Sequence, residues 1–254
     1  MLVWLAAFGV LLANAPGRMV FDTKLIVDID PWGYFTGLWH LWDPTNTLGA
    51  LRNQAVGYAI PMAPFYLLGH LAQLPVWIIE RLWMSLIIAV GFAGLVRLAG
   101  ALGIGSPASR LLAGLVFALW PTFTIVIGST SASVLPGMLA PWAVLPLVTA
   151  VRQPGGVVRA AARSGAVVRA AARSGGVVRA AARSGAVVLC MSGVNATVTI
   201  EALLLPGLFI LTHARGRHLV RLAACWAAAV AAATAWWALP LLLQGKYAFN
   251  FLPY

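Results

Sequence analysis

The chain has 254 residues, 61% of them hydrophobic and 9% charged, with a formal net charge of +11. Soluble domains carry about 25% charged residues, so this composition excludes an ordinary soluble domain and makes the bilayer the chain's solvent. The basic excess sits between apolar runs, which fits orientation by the positive-inside rule better than a nucleic-acid surface.

The first apolar run, residues 1–15, is predicted to be the first transmembrane span. It is short, roughly 22 Å at 1.5 Å per residue. Ala13-Asn14-Ala15 has the form of a signal cleavage site, but no Lys or Arg precedes the run, so a span is the preferred reading. Residues 16–74 read as the first extracytoplasmic loop with interfacial helices. Its polar-aromatic part, 16–56, holds all four aspartates: Asp22, Asp28, Asp30 and Asp43. Residues 57–74 are apolar but broken by Pro61 and Pro64, with His70 and Gln73 near the end, so they are expected to lie in the interface rather than cross.

Spans two to four fall within 75–151, at 75–97, 111–128 and 135–151. Residues 152–185 form a basic cytoplasmic stretch built on a decapeptide repeat, GVVRAAARSG and its near-copies, which runs from 156 to 188. At about 100° per residue, ten residues fall roughly 80° short of whole turns, so no one face is expected to stay apolar along it. The repeat reads as a tolerated insertion, with a basic arm on anionic lipid as the alternative. Spans five to seven occupy 186–243: 186–194 completed by the repeat's last copy, then 198–212 and 222–243. An aromatic extracytoplasmic tail, 244–254, follows. The predicted fold class is therefore an all-α polytopic bundle of about seven spans, amino terminus inside, arginines inside and aspartates outside.

Ionisable groups concentrate in the first outer loop. Asp22, in Phe21-Asp22-Thr23-Lys24, follows the first span closely, and a carboxylate at the membrane surface can take a proton from a sugar hydroxyl. Lys24 and Arg52 could hold a phosphate leaving group and meet the charge that develops on it. His40, Asp43, Asn53 and Gln54 complete the polar set assigned to donor phosphate and sugar. Arg81 is assigned there too, as a cation facing an outer cavity. Glu80 beside it points about 100° away on a helix, so the two need not pair. Trp39, Trp42 and Tyr58 offer flat faces for acceptor stacking, as do Trp32 and Tyr34, although an interfacial aromatic belt would use the same residues. Asp28 and Asp30 before Pro31, and Asp43 before Pro44, also have plain turn roles. Glu201 reads as cavity lining. Cys190 and Cys225 read as small hydrophobes, and no metal spacing, phosphate-cradling glycine loop or nucleophile elbow is present. No cofactor and no nucleic-acid partner are expected.

Longer segments carry a resemblance. FDTKL (21–25), DPWGY (30–34), Leu38-Trp39-His40-Leu41-Trp42-Asp43-Pro44, LRNQAVGYAIPMAPFYLLG (51–69), SGVNATVTIEALLLPG (192–207) and the closing TAWWALPLLLQGKYAFNFLPY (234–254) together resemble the amino-terminal portion of the actinobacterial alpha-(1->3)-arabinofuranosyltransferase D family. The resemblance implies a GT-C membrane glycosyltransferase fold. It further implies transfer of arabinofuranose, with inversion, from decaprenyl-phosphate-arabinose to cell-wall arabinan outside the bacterial inner membrane. The family's proposed base falls on Asp22. Two departures stand out: family members are several times longer, and the expanded repeat lies where the family has a single entry to its fifth span. Two further readings accompany the transferase: a transporter of lipid-linked sugar, which should place ionisable residues near the midplane of several spans, and an inactive truncated membrane fragment.

Overall fold

The computed structural model describes residues 1–20, 25–40, 42–43, 49–51, 54–152 and 166–245. Among these the chain is helical, apart from a two-residue antiparallel ladder pairing Trp42 with Leu51 and Asp43 with Ala50. The helices are α1 (Leu2–Ala13), α2 (Leu25–Ile29), α3 (Pro31–Gly37), α4 (Met62–Leu71), α5 (Val76–Leu102), α6 (Pro107–Ala118), α7 (Pro121–Ile127), α8 (Ser131–Arg152), α9 (Ala166–Leu189), α10 (Ala196–His213) and α11 (Gly216–Gly245), with a 3-10 helix at Gln54–Ala59.

Four helices, α5, α8, α10 and α11, are long and apolar enough to cross a bilayer, and α6 with α7 makes a fifth if the pair is one span. The other two segments counted among the seven are α1, only 12 residues long, and α9, which carries the repeat's arginines. The chain is an all-helical membrane protein.

Several boundaries moved for identifiable reasons. The span expected over 111–128 is a pair bent by 45°, broken at Leu119 and Trp120 ahead of Pro121, whose ring disfavours a helical residue before it. Helix α5 does not stop at Arg97. The guanidinium folds over the Trp142 ring, 4.9 Å from its centroid, and the helix continues to a left-handed cap at Gly103. The interfacial segment at 57–74 divides into the end of the 3-10 helix and α4, which at 10 residues is about 15 Å long.

The repeat is the largest revision. Helix α9 runs without a break from its second copy through its third and on to Leu189. Val177, Ala180, Ala181, Ser184, Gly185 and Val188 are buried, spaced three and four apart on one face. The drift of 80° between copies matters only when several copies must pack on the same neighbour. Among the α9 residues whose burial is described, the buried positions lie between Val177 and Val188.

Helix α8 is the hub, with α5, α7, α9 and α10 packed around it, and α9 also lies along α11. Pro136, Pro141 and Pro146 interrupt its hydrogen-bond ladder, a pattern tolerated in membrane helices where neighbours satisfy the freed groups. Side-chain hydrogen bonds hold it to the other helices. Trp142 Nε1 donates to the Val90 carbonyl at 2.9 Å and Trp83 Nε1 to Ser131 Oγ at 3.0 Å, joining α5 to α8. Ser184 Oγ donates to the Ala143 carbonyl at 2.7 Å and accepts from Trp226 Nε1 at 3.0 Å, linking α9 to α8 and α11. Gly91 and Gly94 let α5 approach closely, since a Cβ at either would strike the side chain of Met138 or Trp142.

Candidate active-site region

The chain leaves α1, turns through Ala15 (φ 48°) and Gly17 (φ 75°), and meets α5 near its start. Glu80 and Arg81 wait there, 1% and 3% exposed, on the second turn of a mostly apolar helix. The Val20 amide donates to both carboxylate oxygens of Glu80, at 3.1 and 3.0 Å. Arg81 donates from one terminal nitrogen to Glu80 Oε2 at 3.0 Å and from the other to the Arg18 carbonyl at 3.1 Å. The reading that these neighbours need not pair is corrected. Either charge alone in apolar surroundings would be costly, and the arginine side chain is long enough to curl back onto the adjacent carboxylate. Together they form a clip that fixes residues 18–20 immediately before Phe21-Asp22-Thr23-Lys24.

Arg81 is thereby committed within the protein. It is buried, with one terminal nitrogen on Glu80 and the other on a backbone carbonyl. Those contacts tie the loop entry at Arg18 to α5. Arg18 itself is exposed.

Beyond residue 24 the chain packs back on α4. Asp30 caps α3, accepting from the Gly33 amide at 2.8 Å with Pro31 at the first helical position, which is the turn role its sequence allowed. Asp28 is buried on α2, and its carbonyl accepts a 2.7 Å hydrogen bond from His70 Nε2 on α4. Val27, Tyr34, Tyr58, Met62 and Tyr66 form the core beneath. Tyr58 is 1% exposed, so the stacking face expected of it is covered by protein. Trp39 and Trp42 are 88% and 54% exposed and do present open faces, with Trp32 nearby in sequence at 66%. His40 is exposed beside Trp39.

A second junction joins two of the segments that carry the family resemblance. Ser192 Oγ donates to the Gly57 carbonyl at 2.7 Å, and the Gly193 amide donates to the same oxygen at 3.2 Å. A Cβ on Gly57 would strike the backbone of Gly193 and Val194, so only glycine fits. Thus the 3-10 helix that follows the Arg52-Asn53 pair is tied to the turn between α9 and α10.

Asp22, Lys24, Arg52 and Asn53 lie outside the described residues, while the backbone of Asp43 and Gln54 belongs to the ladder and the 3-10 helix. Glu201 is exposed on α10, and Cys190 and Cys225 are free thiols. Sequence reasoning missed Glu80 as a structural partner of the loop, and His70 as the link from α4 to α2. The available signal was a Glu-Arg pair inside an apolar helix, where isolated charges are rarely tolerated.

Comparison with known proteins places this geometry in a family. The family described as alpha-(1->3)-arabinofuranosyltransferase, N-terminal GT-C domain, matches residues 6–254. The alpha-(1->3)-arabinofuranosyltransferase of Mycobacterium tuberculosis is 36% identical over 235 residues, covering 92% of this chain and 16% of that protein. Its counterpart from Mycolicibacterium smegmatis is 36% identical over 242 residues, 95% of this chain and 16% of its own length. The cryo-EM structure of arabinofuranosyltransferase AftD from Mycobacteria superposes with a TM-score of 0.82 at 34% identity, over 96% of this chain and 17% of that one. The chain thus spans about a sixth of the length of these relatives. On the match over residues 6–254, supported by the shared helical architecture, the chain belongs to the alpha-(1->3)-arabinofuranosyltransferase family, within its amino-terminal GT-C domain.

Proposed function

We propose that this chain forms the membrane-embedded donor site of an arabinofuranosyltransferase, with Asp22 as the general base. The clip of Glu80 and Arg81 on residues 18–20 is the observation that supports this reading most directly. A buried ion pair spent on the backbone of a loop is expensive. Such an arrangement is useful where the next few residues must be held at a defined depth beside a lipid-linked substrate.

In the proposed reaction the acceptor hydroxyl attacks the anomeric carbon of arabinofuranose carried on decaprenyl phosphate. Asp22 takes the hydroxyl proton as the new glycosidic bond forms, and the bond from the anomeric carbon to the phosphate oxygen breaks. Lys24 and Arg52 meet the charge developing on the departing phosphate. His40, Asp43, Asn53 and Gln54 orient the donor sugar and phosphate, and Trp39 and Trp42 stack against the arabinan acceptor. A single displacement inverts the anomeric carbon. The acids are assigned to the outer face of the inner membrane and the arginine-rich helix ends to the cytoplasmic face. No metal or cofactor enters this scheme.

A photoreactive polyprenyl-phosphate arabinose analogue tests the donor site. Cross-links to the peptide containing residues 19–24 are expected, and they should be competed away by unmodified donor. Labelling confined to other peptides would overturn the assignment.

A further inference from the structure

Helix α9 buries one face of the repeat, and its opposite face is unusual. Val178, Arg179, Ala182, Arg183 and Ala186 are all exposed, forming a stripe of small apolar residues interrupted by two guanidinium groups one turn apart. Among the described residues no carboxylate pairs with either arginine.

The depth of this stripe follows from the hydrogen bonds of Ser184. It is bonded to Ala143 on α8 and Trp226 on α11. Arg152, where α8 ends, is nine residues past Ala143, and Arg217, in the first turn of α11, is nine residues before Trp226. Both helices therefore put their basic ends roughly 14 Å from the level of Ser184. On that scale the backbone of Arg183 lies about 12 Å inward from those ends and that of Arg179 about 6 Å. Side chains lean toward the helix amino terminus, which for α9 is the basic end, and an extended arginine reaches about one helical turn along the axis. Arg179 can reach the level of the helix ends. Arg183 stops several ångströms short, among apolar neighbours.

We infer that Arg179 and Arg183 form a binding site for the phosphate of an anionic phospholipid, drawn in against the outward face of α9. The flanking Val178, Ala182 and Ala186 match acyl chains, and the two guanidinium forks match phosphate oxygens. Among the described residues no carboxylate supplies the counter-charge. The chain has 17 basic against 6 acidic side chains, and the four aspartates all lie in the stretch before α4. The site is independent of the transferase reading.

Native mass spectrometry of the detergent-solubilised chain tests it, using equimolar phosphatidylglycerol and phosphatidylcholine with identical acyl chains. Retention should favour phosphatidylglycerol by roughly 25-fold, the product of about fivefold for each arginine. Arg183→Gln should reduce this by about fivefold, and Arg179→Gln with Arg183→Gln should bring the ratio near one. Both side chains are exposed, so melting temperatures should not change. Arg215→Gln with Arg217→Gln should leave most of the preference in place. Equal retention of the two lipids by the unaltered chain, or full preference in the Arg179/Arg183 double variant, overturns the site. So does an equal loss on substituting Arg215 and Arg217, or displacement of the lipid by inorganic phosphate alone. A lipid-free dimer that dissociates in the Arg179/Arg183 double variant would give the face to a protein partner instead.

Discussion

Replacing Arg81 with methionine tests the clip. The substitution keeps much of the side-chain volume but removes the donors to Glu80 and to the Arg18 carbonyl. Glu80, 1% exposed, then loses the guanidinium that pairs with it, and breaking a buried pair from one side costs about 3–5 kcal/mol. Locally, the Arg18 carbonyl loses a charge-assisted hydrogen bond worth about 1.5–3 kcal/mol. That is a rise of roughly 10- to 150-fold in opening of the segment, at 1.4 kcal/mol per tenfold. Hydrogen exchange in detergent, read on the peptide spanning residues 16–20, measures it through the Val20 amide. Peptides from α11 serve as an internal reference, since a global loss of structure would accelerate both. Arg81→Lys should be intermediate, because one ammonium cannot reproduce the two-pronged geometry. Exchange at Val20 unchanged in Arg81→Met, with stability within about 0.5 kcal/mol of the parent, would refute the idea that the pair holds the loop.

Gly57→Ala should cost about 2–3 kcal/mol in detergent melting, because its methyl would meet backbone of Gly193 and Val194, which cannot move aside as a flexible side chain could. Deleting residues 176–185 should leave melting nearly unchanged, since Val167, Ala170, Ala171, Ser174 and Gly175 then stand in the same frame before Ala186. Deleting all three copies, residues 156–185, removes the packing face of α9 with the Ser184 hydrogen bonds, and should lower stability by at least about 3 kcal/mol. A reporter placed after Asn250 should be accessible from the outer side of the membrane, and an inner location would overturn the assigned orientation.

Much of the bundle is legible in the sequence because a bilayer imposes a coarse rule, a long apolar run for each crossing. Helices α5, α8, α10 and α11 announce themselves that way. The details that escaped are those governed by partners far along the chain. Arg97 looks like a helix end until Trp142 supplies an aromatic face for it. The repeat looks like an insertion because its arginines dominate the composition, whereas its third copy packs through Val177, Ala180, Ala181, Ser184 and Gly185. In the site region, the turn role of Asp30 could be read from Asp-Ile-Asp-Pro. The pairing of Glu80 with Arg81 could not be read from helical angles alone, because it depends on the Val20 amide and Arg18 carbonyl arriving from another segment. Tyr58 shows the same limit: an aromatic beside a polar loop suggested an open stacking surface, yet it is enclosed with Tyr34 and Tyr66.

The most direct test of the central claim is arabinose transfer from decaprenyl-phosphate-arabinose to a synthetic arabinan acceptor, comparing this chain with its Asp22→Asn variant. The account predicts a product of inverted anomeric configuration from the unaltered chain. It predicts a loss of at least about 100-fold in Asp22→Asn, the scale of general-base assistance. Transfer that survives the substitution would contradict Asp22 as the base, and a chain that binds the donor yet forms no glycosidic product would contradict its assignment as a transferase.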